Sequence, residues 1–77
     1  MDKQLILKAV QAVMDFNEKQ DDRYVYSVGI NIGKHSIWIW IIRLETPTKA
    51  NYILNNHDAN NDDLNNFIQK LDELKAV

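Results

Sequence analysis

The sequence predicts an α+β domain of order α-β-β-β-α, a three-stranded antiparallel sheet with two helices packed on one face. Three observations carry this. Apolar residues near both ends of the chain recur at three- and four-residue spacing, the period of a helix with one buried side. Between them the period drops to two over residues 24–44, the alternation of paired strands. A stretch punctuated by Pro47 and Asn-rich segments then leaves room for one short further strand. The 77 residues make a single domain, 1–77. The expected bounds are a helix over 3–19, strands over 24–32, 35–44 and 50–55, and a helix over 61–75.

In the first helix Leu5, Ile6, Ala9, Val10, Val13 and Phe16 line one side, and Asp2 is placed to cap the start. Gln20-Asp21-Asp22 ends it without a glycine. Tyr24, Tyr26, Val28, Ile30 and Ile32 then alternate with Val25, Ser27, Gly29 and Asn31. Gly33-Lys34 fits a two-residue hairpin loop with glycine at the positive-φ position. That loop pairs Ile32 with His35, Ile30 with Ile37, Val28 with Ile39 and Tyr26 with Ile41, one consistent apolar face. The opposite face then carries Val25 with Ile42, Ser27 with Trp40 and Gly29 with Trp38. A three-residue loop with a bulge reverses the parity and turns the tryptophans inward. In either case one face of the second strand is left with large apolar side chains that two helices on the other face cannot cover.

Glu45 to Lys49 reads as a turn and Asn51 to Asn55 as a short edge strand flanked by polar residues. The last helix has Asn60 or Asn61 as cap, Asp62 and Asp63 in its first turn, and Leu64, Phe67, Ile68, Leu71 and Leu74 as its stripe.

Composition narrows the function classes. Nine Lys plus Arg against eleven Asp plus Glu give a net charge of −2, too near neutrality to argue for a polyanion partner. There is no cysteine, which excludes disulfides and thiolate sites and fits a cytoplasmic, reducing setting. No apolar run approaches a membrane span, and the polar opening segment does not read as a signal peptide. A fold of this length buries only about 60% of its unfolded surface, so a second subunit is the remaining way to enlarge the core. The abundance of Asn, Ile and Lys has the flavour of an A+T-rich bacterial or phage genome.

No chemical constellation emerges. Asp58-Ala59-Asn60-Asn61-Asp62 resembles the opening of a calcium loop, yet Asp63 stands where the tight turn needs glycine and Gln69 where a bidentate glutamate belongs. His35 and His57 have no ligand spacing for zinc and read as solvated turn residues. Ser27 and Ser36 lie in strands, away from any sharp exposed turn. The expectation is no catalytic residue, no metal and no cofactor. The element order is also that of double-stranded-RNA-binding domains. Where those domains carry lysines, this chain reads Asn60-Asn61-Asp62-Asp63, which repels phosphate, so that function is set aside.

The sequence therefore points to a non-enzymatic interaction module, a small regulator or phage-type accessory protein. Trp38, Trp40, Ile42 and Val25 form its partner-binding face, covered by another protein or by a second copy in a homodimer. The rival reading is single-stranded nucleic acid stacked on the same tryptophans, with Lys34, Arg43 and Lys49 as the nearest cations.

Overall fold

The computed structural model describes residues 2–20, 25–46 and 48–75. The order is helix α1 (Lys3–Lys19), strands β1 (Tyr26–Ile32), β2 (Ile37–Thr46) and β3 (Lys49–Asn56), and helix α2 (Asn61–Lys75). The strands form one antiparallel sheet in the order β1-β2-β3. The α+β class and the α-β-β-β-α order are as read from the periodicities. Tyr24, Asp21, Asp22 and Pro47, which entered that reading, lie outside the described residues.

Helix α1 starts where expected, because the Asp2 carboxylate accepts the Gln4 backbone N–H at 2.9 Å and satisfies one orphan donor of the first turn. It stops when Gln20 turns extended at ψ 138°. Leu5, Ala9 and Phe16 are buried, with Ile6, Ala12 and Val13 packed beside them. Val10, expected on this stripe, stays outside the core cluster and Ala12 takes a place in it. The true face is rotated about the helix axis, leaving exposed Leu7 and Met14, which lie one turn before and one turn after Val10 on the same side of the helix.

Helix α2 opens on a reciprocal cap. Asn60 Oδ1 accepts the Asp63 N–H and Asp63 Oδ2 accepts the Asn60 N–H, both at 2.9 Å. Asn56 Oδ1 meanwhile accepts the Asp58 N–H at 3.0 Å, closing an Asx-type turn. These contacts account for much of the Asn- and Asp-rich run that resembles a calcium loop. Leu64, Phe67 and Leu71 are buried, and Ile68 and Leu74 flank them.

The helices lie against each other and bury the sheet face that carries Val28, Ile37, Ile39 and Ile41. Ile39 and Ile41 are wholly buried beneath them, each contributing about 1.5–3 kcal/mol by leaving water. Phe16 meets Tyr26 edge-on, ring centroids 5.7 Å apart, and so ties α1 to the first strand. Of the two parities left open by the sequence, the isoleucine-in arrangement is the one the fold adopts.

The hairpin differs from expectation in its turn. Ile32 pairs with Ile37, Ile30 with Ile39, Val28 with Ile41 and Tyr26 with Arg43; on the other face Ser27 pairs with Ile42, Gly29 with Trp40 and Asn31 with Trp38. The tip is therefore Lys34-His35, not Gly33-Lys34, and no described glycine has positive φ. Gly33 instead answers to crowding. Its N–H donates to the Ser36 carbonyl at 2.9 Å, and a Cβ there would sit 3.0 Å from the same oxygen. Moving the tip by one residue slides the pairing by two, so every side chain keeps its face. The slide sets Ile39 and Ile41 opposite Ile30 and Val28, and anchors the start of β2 to the loop before α2 through Ala59 N–H to Ile37 O at 2.9 Å.

Strand β3 is longer than the expected 50–55 and carries an irregularity. Ile41 pairs with Leu54 but Ile42 pairs with Tyr52, so Ile53 is an extra, bulged residue. The free edge of β1 is also managed. Leu44 N–H donates to the Val25 carbonyl at 2.7 Å, so by alternation the groups of Tyr26 and Val28 point away from β2. Gln20 Oε1 accepts the Tyr26 N–H at 3.2 Å and Asn17 Nδ2 reaches the Val28 carbonyl at 3.5 Å. Side-chain amides from the end of α1 thus occupy part of an edge that would otherwise invite strand pairing.

Candidate functional site

The face of the sheet opposite the helices is built by parity alone. Along β1 it carries Ser27, Gly29 and Asn31, with Val25 just before the strand; along β2, Trp38, Trp40, Ile42 and Leu44; along β3, Ala50, Tyr52 and Asn55. All four residues singled out from the sequence, Trp38, Trp40, Ile42 and Val25, lie on it. None of these side chains belongs to the buried core cluster.

The two tryptophans are ordered by contacts within the face. Their rings lie 4.5 Å apart at 41°, and the Trp38 indole N–H donates to Asn55 Oδ1 at 2.7 Å. The His57 imidazole stacks on Trp38 at 4.8 Å and 16°, although its sequence context suggested a free turn residue. Trp40 lies flat over its cross-strand partner Gly29: a Cβ built on Gly29 would be 2.0 Å from Trp40 Cζ2. The glycine is the floor on which the indole rests, and both tryptophans become only half-buried by the chain's own means.

Around this aromatic centre the face is open. Tyr52 is 66% exposed, Val25 40% and Leu44 37%. Sequence reasoning named Val25 but missed Tyr52, because only the bulge at Ile53 brings Tyr52 opposite Ile42. Leu44 was legible from its spacing two and four residues beyond Ile42 and Trp40.

Charge is absent from every one of these positions, although 26% of the chain is charged. Arg43, a candidate cation from the sequence, pairs with Tyr26 and Asn51 and so belongs to the opposite face. Lys49 lies at the far end of the sheet, 3.8 Å from Glu45, which also accepts a hydrogen bond from Asn51. Lys34 sits at the hairpin tip.

Elsewhere, two of the clefts among the described residues are shallow. One, about 310 Å³, is lined by Phe16, Lys19, Gln20, Val25, Tyr26, Leu74 and Lys75. The other runs between the helices beside Lys8, Asp15, Asp72 and Lys75. Neither is lined by a tryptophan or a histidine. Among the described residues no group of three or more His, Asp or Glu side chains gathers as metal ligands do, and no helix is long and apolar enough to cross a membrane. Set against protein-family models, curated proteins and solved structures, the chain finds no match.

Proposed function

We propose that this protein is a non-enzymatic interaction module, a small regulator or phage-type accessory protein acting in the cytoplasm, that docks another protein on its open sheet face. The observation that carries the reading is a contiguous, uncharged, aromatic-centred face opposite the helices, with Tyr52, Val25 and Leu44 open to solvent. A solvated sheet face ordinarily alternates to polar and charged side chains, and an apolar patch of several hundred Å² on a small protein marks a contact surface. Tryptophan and tyrosine supply large contact area at low cost in side-chain entropy, which suits Trp38, Trp40 and Tyr52 to the role of anchors.

The stacked Trp38 and His57 rings are the feature that best suits the rival, nucleic-acid reading. Phosphate neutralisation, however, supplies most of the affinity of such binding, and the described residues that strand register places on this face include no Lys or Arg to supply it. Short single-stranded oligonucleotides titrated at low salt are therefore expected to leave the tryptophan fluorescence unchanged. Strong quenching would favour the rival instead. The positive test is a photo-crosslinking residue in place of Tyr52, expressed in cells of the source organism. Protein adducts from this position, absent when the same residue replaces Gln69 on α2, are the expected result; no adduct at position 52 contradicts the proposal.

A further inference from the structure

We infer that the occupant of the open face is a second copy of this chain, sheet stacked on sheet about a two-fold axis. This rests on the protein-docking reading above and names its partner.

Charge is the first argument. In an isologous interface, residues near the axis meet their own symmetry mates, so a charge there would face its like. A face built for a different protein has no such constraint and commonly carries complementary charges. Here the described residues that strand register places on the face, Trp38, Trp40, Ile42, Leu44 and Tyr52 among them, include no Asp, Glu, Lys or Arg, in a chain where 26% of residues are charged.

Area is the second. A folded monomer of 9.0 kDa is expected to expose about 4,900 Å². This chain exposes 5614 Å². The surplus of roughly 700 Å² is of the order of the ~800 Å² that each partner buries in a standard-size stable interface. It belongs to the whole chain, Leu7 and Met14 on α1 contributing with Tyr52, Val25 and Leu44 on the open face. Both helices pack on the other face, so neither stands between this face and a second sheet stacked at about 10 Å. The dimer would have four layers, helices outside and two sheets within. Its centre would be formed by Trp40, Ile42 and Tyr52 of both copies, enlarging a core that is small in one chain.

Sedimentation equilibrium over a micromolar-to-millimolar series tests this. The mass is expected to rise from 9.0 kDa toward about twice that value. Tyr52→Lys places a like charge against its mate and is expected to hold the mass at the monomer throughout, with unchanged circular dichroism. Gln69→Lys, on an exposed position of α2, is expected to dimerise as the parent does. A parent that remains monomeric, or a dimer that Tyr52→Lys does not weaken, overturns the inference. The protein-docking reading is judged separately by the crosslink at position 52. A monomer that still gives an adduct with a different protein removes only the second copy. A monomer with no adduct removes both.

Discussion

Phe67→Ala is expected to lower the melting temperature by at least about 12 °C, or to abolish the cooperative transition. Phe67 is wholly buried on α2, within the one cluster that joins both helices to the isoleucine face. Truncating such a phenylalanine removes its transfer free energy and leaves a cavity, a loss of about 3–5 kcal/mol. A domain of this length has a total stability of about 4–12 kcal/mol, so one substitution consumes a large part of it. Each kcal/mol corresponds to about 4–8 °C in a domain this small. Thermal unfolding followed by circular dichroism measures the effect, and a loss under about 5 °C would mean that the helix pair does not sit on this sheet face as described.

The second large effect depends on its background. Gly29→Ala is expected to destabilise the protein by about 1–3 kcal/mol, against the ordinary preference for a side chain in a strand. The new methyl carbon would lie 2.0 Å from Trp40 Cζ2 and 2.5 Å from Cη2, so the indole must leave its seat. Its neighbour Trp38 at 4.5 Å resists that movement on one side. With Trp40→Ala already present the obstacle is gone. Gly29 has no positive φ, so alanine there is then expected to stabilise by about 0.4–1 kcal/mol through the unfolded chain. The sign reversal is measured by a double-mutant cycle in urea, where residues in contact couple by about 0.5–3 kcal/mol. Additive effects would show that Trp40 does not rest on Gly29.

The fold was largely legible from the residues, and the reasons are specific. Helix bounds followed from the apolar stripes and from Asp2 and either Asn60 or Asn61 as caps, local signals of which the structure uses Asp2 and Asn60. Which face of the hairpin lies inside stayed open between the two loop lengths, and packing under the helices settles it in favour of the isoleucines of β2. The exact register did not follow, because a period of two is blind to a slide of two. The choice of Ile37 over His35 as the partner of Ile32 depends on packing under the helices and on the Trp40–Gly29 seat, both long-range. Local turn chemistry at Gly33 pointed the other way and was overridden.

The missed parts of the candidate site have the same origin. Asn51, Asn55 and Asn56 lie within the third strand as polar residues of one kind, so no contrast between its faces reveals a bulge at Ile53. Without that bulge Tyr52 cannot be assigned to the face of Ile42. His57 is three residues before the α2 cap, and only the course of the chain after Asn56 brings its ring onto Trp38. Arg43, one of the nearest cations in the nucleic-acid reading, pairs with Tyr26 and Asn51 and so lies on the isoleucine side of β2, as its odd place in the strand implies.

The central claim is that the tryptophan face is open in the isolated chain and closed by protein. Trp38 and Trp40 are the chain's two tryptophans and both lie on that face, so its intrinsic fluorescence is a direct probe of it. The deciding measurement is acrylamide quenching of that fluorescence across a protein concentration series. The account predicts strong quenching in dilute protein, then a falling Stern–Volmer slope and a blue-shifted emission as the face is covered. Weak quenching already in dilute protein, or an unchanged slope across the whole series with the purified crosslinked partner also present, would contradict it.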